Sequence, residues 1–422
     1  MNQFVFTSQA KKVLSAFMGL GVLCMLLTFF VADDALHSRF WSNFLHNSVF
    51  FTGIAFISLF IISAFTTAWA GWYTQIKRIW EAYSLFMIPG LLLMIIIIGG
   101  IWLHSHHLYH WTDAAALEED EILAHKSSFL NPMWYTLGTL IIVGIWIFFA
   151  KRMRGLSLDE DESGDNSYEH HRKYRIWSAA FLPVAGFSSA AIVWLWVMSV
   201  DAHWYSTLFA WYTAVSWFVA AMALTILTIS FLKSLGLLEG ITGEHLHDLG
   251  KFLFAFSIFW TYLWFSQFML IWYGNVGEET VYFQERQENY PVLFYGNLII
   301  NFVLPFFVLM RNDNKRKYGT LIFVSILVFF GHWWDFFQMI KPGVLHTTHE
   351  ALAHMEGALD HGAGDHHGSS SVAGFTLPGL LEIGTMLGFL AGFLFVVFNH
   401  LSKASLVPKN DPYLAESVHH HV

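Results

Sequence analysis

Long apolar runs constrain this chain more than any other feature of its sequence. Ten runs of bilayer length lie near residues 13–33, 48–70, 82–104, 132–150, 176–199, 206–232, 250–273, 292–310, 318–341 and 374–398. A helix needs about 20 mostly apolar residues to cross the hydrocarbon core, since each residue advances the chain by ~1.5 Å. We therefore predict an all-α polytopic membrane protein with ten transmembrane helices.

Composition supports the same class and excludes several kinds of cofactor site. Charged residues make up 13% of the chain, against about 25% in a soluble domain. The single cysteine, Cys24, lies inside the first apolar run. Intrachain disulfides, thiolate-bound iron–sulfur clusters and c-type haem are therefore not expected in this chain. The net charge of −9 lies largely in the loops and gives no indication of nucleic-acid binding.

The distribution of basic residues predicts the orientation in the membrane. Eighteen of the 22 lysine and arginine residues fall at the two termini or in the even-numbered connections between spans. The other side carries only Arg39, Lys126, Arg286 and Lys341. Because basic residues concentrate on the cytoplasmic side of membrane proteins, both termini are predicted to be cytoplasmic.

The order of the spans suggests two bundles. Spans two to five (48–199) and six to nine (206–341) would each form a four-helix bundle, flanked by span one within 1–33 and by span ten at 374–398. We expect the connection 151–175 to be solvated, because it is charged and contains glycine. A His- and Gly-rich outer loop at 342–373 and a cytoplasmic tail at 399–422 complete the predicted organisation.

The most distinctive stretch runs from residue 244 to residue 283. Within it Trp260, Trp264 and Gln267 fall at helical positions i, i+4 and i+7, so they share one face. An amide among tryptophans in hydrocarbon is costly unless another helix pairs with it. This face is therefore expected to pack against protein.

The same stretch carries a family resemblance. It reads D-L-G-K-F-x-F-A-F, then F-x-Q-F-x-L-I-W-Y-x-N, then E-E-T. This resembles the polysulfide-reductase membrane-subunit (NrfD-like) family, and within it the quinone-module membrane subunits of alternative complex III. The family usually has N-x-P-E-E-T, whereas Val276 and Gly277 stand between Asn275 and Glu278 here, so the proline is missing. The order of the spans resembles the family over nearly the whole chain.

The resemblance implies a function and a set of partners. The chain would be a subunit of a respiratory quinol:cytochrome c oxidoreductase in the bacterial inner membrane, surrounded by lipid. Its partners would be iron–sulfur and cytochrome c subunits, a related NrfD-like subunit, and other membrane and peripheral subunits. Haem c and iron–sulfur clusters would belong to these partners, and this chain would bind no cofactor directly. A quinone, either menaquinone or ubiquinone, would be held by this chain or by the related NrfD-like subunit.

Polar residues inside or at the ends of spans are candidates for a proton path. Ionisable groups at membrane depth are expensive and therefore often functional. The outer candidates are Asp335, Glu382 and Gln267, which we place in one layer of the membrane, and His332, which lies one turn from Asp335. The inner candidates are Glu244, His247 and Asp248. The alternative interpretations are structural hydrogen bonds for the first group and helix capping for Asp248. His332 is the only histidine predicted well inside a span, which disfavours a diheme cytochrome b.

Histidine beside carboxylate near the outer span ends could accept protons from a quinol. The candidates are His104, His106, Asp201 and His203. Residues at span ends are commonly just solvated, and this alternative stays open.

No metal site is predicted. Six outer-loop histidines could suggest zinc, but glycine and serine surround them, which favours a flexible, hydrated tract over a fixed tetrahedral site. They are His346, His349, His354, His361, His366 and His367.

Two other functions compete with a respiratory subunit. A secondary transporter would have a similar two-bundle appearance, but the prolines that interrupt spans here have no matching polar pair at the membrane midplane. A purely structural anchor would not need acidic groups inside its spans.

Overall fold

The computed structural model describes residues 3–163, 168–357 and 372–421. Within these ranges ten helices are long and apolar enough to cross a bilayer, which confirms the predicted all-α polytopic fold. They are α1 (Ser8–Val31), α2 (Ser38–Thr67), α3 (Lys77–Trp102), α4 (Pro132–Ser163), α5 (Glu169–Val200), α6 (Thr207–Ser234), α7 (Gly243–Gly274), α8 (Pro291–Leu309), α9 (Tyr318–Gly357) and α10 (Leu380–Leu401).

The helices pack as two rings and a pair. Helices α2, α3, α4 and α5 contact one another in a closed ring, and α6, α7, α8 and α9 form a second ring. Helices α1 and α10 pack mainly against each other, beside α2 and α3. Helices α2 and α6 are each 83% buried over their apolar window, whereas α1 is 22% buried. The contact between the rings therefore runs along α2 and α6, and α1 lies at the periphery.

The two ends of the chain lie on the same side of the molecule. The side-chain amide of Gln3 donates to the carbonyl oxygen of Ser402 at 3.0 Å. We call this side the terminal face, and the other side the opposite face. The tail, residues 402–421, packs along the terminal face.

Helix α2 begins ten residues earlier than the predicted span at 48–70. Two aspartates explain this, because their carboxylates accept hydrogen bonds from unpaired N–H groups of the first turn. Asp33 accepts from the backbone of Arg39 and Phe40, and Asp34 accepts from the backbone of Ser38. His46 therefore lies inside a span and is fully buried, so the prediction that His332 is the only such histidine was wrong.

Helix α9 also exceeds its predicted length. The helix continues through Pro342 to Gly357, so the outer loop predicted to start at 342 is helical up to that residue. A proline lacks the N–H that would bond to the carbonyl oxygen four residues earlier. Here that oxygen, on Gln338, accepts a hydrogen bond from Nε of Arg286 at 3.3 Å. The buried arginine thus compensates for the break in the helix ladder.

The connection predicted to be solvated at 151–175 is mostly helical as well. Helix α4 continues to Ser163 and α5 begins at Glu169. Several charged side chains of this region are buried, among them Arg154 and Glu160. The sequence pattern of a charged loop was misleading here because most of these charges, Arg154 among them, pair with groups on other elements.

Helix α8 is interrupted near its middle. A π-helical turn, Ile299–Val303, separates the segments Pro291–Leu298 and Leu304–Leu309. Such turns place a side chain out of the regular helical register and often occur at functional sites. The polar residue of this turn is Asn301, which is fully buried.

Candidate functional site

Asp335 of α9 lies at the centre of the second ring and is fully buried. Its carboxylate accepts hydrogen bonds from four side chains on three helices. Ser216 of α6 donates at 2.8 Å, Trp260 of α7 at 2.9 Å and Asn297 of α8 at 2.7 Å, and the hydroxyl of Tyr212 of α6 is the fourth donor. No described lysine, arginine or histidine forms an ion pair with it. The site is thus a buried acid stabilised by neutral donors only.

Helical spacing explains how these donors converge. Tyr212 and Ser216 are four residues apart on α6, so both point towards the same side. Asn297 and Asn301 have the same spacing on α8, and Nδ2 of Asn301 donates to Oδ1 of Asn297 at 2.6 Å. The same amide donates to the carbonyl oxygen of Gly331 at 2.9 Å. The π-helical turn therefore fixes Asn297, which in turn holds one oxygen of Asp335.

His332 joins this network through Ser216. The Nδ1 atom of His332 lies 2.9 Å from the hydroxyl oxygen of Ser216. Because that hydroxyl donates its one proton to Asp335, Nδ1–H of His332 must be the donor to Ser216. The Nε2 atom of His332 is then an acceptor, and it has no partner among the described residues. His332 and Asp335, predicted to lie one turn apart, are thus connected through the hydroxyl group of Ser216.

Gln267 does not join the network. It is buried on α7, but no hydrogen bond connects it to Asp335 or Glu382 in the described part of the chain. The donor that α7 contributes is Trp260, two helical turns earlier. The expected packing of this face against protein is observed for Trp260, which is fully buried.

Glu382 is part of a separate ion pair. Its carboxylate binds the guanidinium of Arg39 through Nε at 2.8 Å and Nη2 at 3.0 Å, and it accepts from the amide of Asn43 at 3.1 Å. It also accepts from the backbone N–H of Gly379 at 2.9 Å, at the start of α10. The prediction treated it as an isolated acid in one layer with Asp335. Instead it joins α10 to α2, and no hydrogen bond links the two acids.

A cleft of about 230 Å³ lies on the opposite face where the two rings meet. Its lining includes Asp201 and His203, two of the four predicted quinol contacts. The guanidinium of Arg286 binds Asp201 at 2.7 Å. The rings of Trp204 and Tyr282 stack with centroids 3.9 Å apart on its wall. The indole N–H of Trp204 is buried without a hydrogen-bond partner among the described residues.

The cleft combines several titratable groups. His203 hydrogen-bonds to Asp120. Burial alone would raise the pKa of Asp120. The hydrogen bond from His203 and two hydrogen bonds from backbone N–H groups outweigh burial, so the pKa of Asp120 is lowered. Burial raises the pKa of Glu285 and lowers that of His110. Nδ1 of His110 lies 3.3 Å from the carboxylate of Glu350. Proton-accepting and proton-donating groups thus line the cleft or pair with residues that line it.

The other two predicted quinol contacts lie elsewhere. His104 is exposed, with a positive φ of 49°. His106 is 3% exposed, and its Nε2 lies 3.1 Å from the carbonyl oxygen of Ile97. Burial lowers the pKa of His106 to about 4. Neither residue lines the cleft.

The predicted inner cluster lies at the terminal face, where each acid has a partner. Glu244 binds the guanidinium of Arg316 at 2.9 and 3.1 Å. Asp248 lies 2.6 Å from Nε2 of His420 in the tail. His247 is 4% exposed, and its Nδ1 has no partner among the described residues. The cluster is therefore assembled, but the tail covers Asp248.

Several residues of these sites had no place in the sequence prediction. The donors Tyr212, Ser216 and Asn297 and the cation Arg39 are examples. Two asparagines four residues apart in an apolar run, Asn297 and Asn301, were a usable signal for a polar helix face. The others could be found only from the packing.

Metal binding has no geometric support in the described ranges, where no group of three or more His, Cys, Asp or Glu side chains could hold an ion. His346 and His349 lie on the extended helix α9. His361, His366 and His367, and the side chain of His354, lie outside the described residues.

Neither a protein-family model nor a curated protein matches this chain.

Proposed function

We propose that this chain is an integral membrane subunit of a respiratory quinol:cytochrome c oxidoreductase of the bacterial inner membrane, with its terminal face in the cytoplasm. The resemblance to the NrfD-like family, and in particular to the quinone-module membrane subunits of alternative complex III, supports this function. The observation that carries the chain's own role is Asp335, a fully buried carboxyl held by four neutral donors. That role is to transfer protons through the second ring and, in addition, to support the partner subunits.

The environment of Asp335 suits proton exchange. Burial away from any cation favours the neutral acid, whereas four hydrogen-bond donors favour the anion. Both forms are therefore accessible without rearrangement of the helices. Ser216 connects the carboxylate to His332, so uptake of a proton at Nε2 of the imidazole would let the Nδ1 proton move to Ser216 and the hydroxyl proton of Ser216 move to Asp335.

The opposite-face cleft is the proposed place for a quinol head group. Oxidation of a quinol to a quinone releases two electrons and two protons. The electrons would pass to an iron–sulfur cluster of a partner subunit, and His203 or Asp201 would take up protons. The unpartnered indole N–H of Trp204 could donate to a quinol oxygen, and Tyr282 provides a flat aromatic wall. Menaquinone and ubiquinone both carry such a head group.

Substitution of the buried acid tests the proton role. Asp335→Asn keeps the size of the side chain and removes its ability to titrate. We expect the complex to assemble and its proton release per quinol to fall, because a general acid–base group typically contributes ~10²–10⁴-fold to a proton-transfer step. Quinol oxidation and proton release by the purified complex in vesicles measure the effect.

The matched control is Asp313→Asn, which alters an exposed aspartate in a terminal-face connection. It should leave turnover and proton release unchanged. Full proton release by an assembled Asp335→Asn complex would show that the acid is structural.

Secondary transport is the second candidate, and the interrupted helix α8 is the observation that favours it. Transporters bind substrates and coupling ions at broken helices near the membrane midplane. In that case the purified full chain alone would accumulate a solute in vesicles under an imposed proton gradient. A respiratory subunit would not.

A further inference from the structure

A cluster of buried charges lies at the terminal end of the first ring, far along the chain from Asp335. We call it the terminal charge cluster; its members come from α3, α4 and the tail. They are Lys77, Arg78, Glu81, Arg154, Glu160, Asp161 and Asp411. Each side chain is at most 11% exposed. Burial of so many charges is tolerated only where they are paired.

Three cations and three carboxylates of the cluster pair with one another. Lys77 binds Asp411 at 2.8 Å. Arg78 binds Glu81 at 3.1 Å and Asp161 at 2.6 Å. Arg154 reaches Glu81 at 3.3 Å. These six groups balance in charge.

Glu160 is the seventh member and takes no part in these pairs. It is 1% exposed, and its Oε1 atom has no hydrogen-bond partner among the described residues. It also forms no ion pair with a described residue. Three more polar atoms in or beside the terminal charge cluster also have no hydrogen-bond partner among the described residues. They are Oγ of Ser157, Nε of Arg78 and Nδ1 of His171. Polar atoms buried in this way are normally satisfied by bound water.

An ionised Glu160 would be a buried charge without an ion-pair partner, which is strongly unfavourable. The facing groups cannot neutralise it. Lys77 and Arg78 of α3 are already bound to other acids. Asp161, on the same helix as Glu160, and Asp411 of the tail are themselves acidic. Nδ1 of His171 on α5 lies 3.9 Å from the carboxylate of Asp411. Protonation is the remaining way to remove the charge.

We infer that Glu160 is a proton-binding site that takes up a proton near neutral pH. This site is in the first ring and does not rest on the function proposed for Asp335. Each ring would then contain one protonatable carboxyl, one near the terminal face and one within the membrane.

The tail closes this site from solvent. Asp161 accepts from the backbone N–H of Lys409 at 2.7 Å and of Asn410 at 3.4 Å. The amide of Asn410 donates to the backbone carbonyl oxygen of Glu160 at 3.1 Å. Proton exchange at Glu160 therefore requires movement of the tail or passage through internal water.

Infrared difference spectroscopy of the full chain tests the inference. A protonated carboxyl gives a carbonyl-stretch band that shifts when deuterium replaces its proton. We expect wild type minus Glu160→Gln, at neutral pH, to show the loss of one such band. Bands from other acids, including Asp335, are common to both proteins and cancel. The matched control is Glu162→Gln, two residues away and exposed, which should lose no band.

An unchanged protonated-carboxyl region in folded Glu160→Gln would overturn the inference. If that variant does not fold, Glu160→Asp preserves the carboxyl group and shortens the side chain. Its band should then move in frequency, and a band at the wild-type position would equally overturn the inference. A second readout is the rate of deuterium exchange of the band, which should rise in Asn410→Ala because the tail is loosened.

Discussion

Arg39 and Glu382 are 343 positions apart in the sequence and are joined by two parallel hydrogen bonds of 2.8 and 3.0 Å. Their side chains are only 10% and 0% exposed. The pair connects the start of α2 to the start of α10. It thereby attaches the peripheral pair α1 and α10 to the first ring.

This pair predicts non-additive effects of substitution. We expect Arg39→Met or Glu382→Gln alone to lower the free energy of unfolding by about 3–5 kcal/mol, because each leaves a buried group without its partner. The double variant should cost less than the sum of the two. Thermal unfolding of the purified chain in detergent measures this, with the exposed Lys12→Met as control. Additive losses would show that the two groups do not interact energetically.

The contact of α1 with α10 predicts a steric effect. A Cβ atom at Gly388 would lie 2.5 Å from the Cα atom of Gly21. Gly388→Ala should therefore separate the helices at a cost of about 1–3 kcal/mol. Cys24 is buried in this contact and is the only cysteine of the chain, so its reaction rate with a fluorogenic maleimide reports the separation.

The control for this experiment is Gly392→Ala, one turn further along α10. A Cβ atom there meets nothing within 4 Å. We expect its Cys24 to react as slowly as in wild type. Equal rates in Gly388→Ala and Gly392→Ala would contradict the close packing.

His106 predicts a dependence of stability on pH. Burial lowers its pKa from 6.5 to about 4. The folded state thus binds this proton more weakly than the unfolded state, so the stabilisation is complete above pH 6.5 and is lost as the pH falls towards 4. The loss should be about 3 kcal/mol, at 1.36 kcal/mol per pKa unit. Thermal midpoints measured across this range should fall less steeply in His106→Gln.

The exposed His104 provides the control for that measurement. His104→Gln should leave the slope as in wild type. If His106→Gln has the wild-type slope too, other groups cause the dependence.

The proposed orientation predicts a labelling pattern. Ser128→Cys lies on the opposite face and Ser234→Cys on the terminal face, and both serines are exposed. In a Cys24→Ala background, a membrane-impermeant thiol reagent added to intact cells should label only the first. The second should react only after lysis. The reverse pattern would place the terminal face outside the cytoplasm.

Features of the fold that depend on local hydrophobicity could be predicted from the sequence. The number and type of the spans followed from apolar runs of bilayer length. The predicted helix boundaries were wrong where a polar interaction extends a helix. The capping of the start of α2 by Asp33 and Asp34 is one example. They also failed at Pro342, where the expected helix end is avoided because Arg286 takes over the free carbonyl of Gln338.

The candidate site was predicted only in part, for a related reason. Asp335 was identified because an acid in an apolar run is unusual, and His332 because it lies one turn away. The partners of an acid depend on which helices surround it, and spacing along one helix does not give this. Gln267 and Glu382 were therefore placed beside Asp335 from depth alone. The structure gives Glu382 a cation from α2 instead.

The packing of α1 against α10 has a consequence for biosynthesis. Helix α1 leaves the ribosome before the eight helices that separate it from α10 in the sequence, and α10, which covers Gly21 and Cys24, leaves after them. During insertion of the eight helices between them, this face of α1 must be occupied by lipid or by an insertion factor. Completion of the fold therefore waits for α10, and a nascent chain that stops after α9 would keep α1 without its main partner.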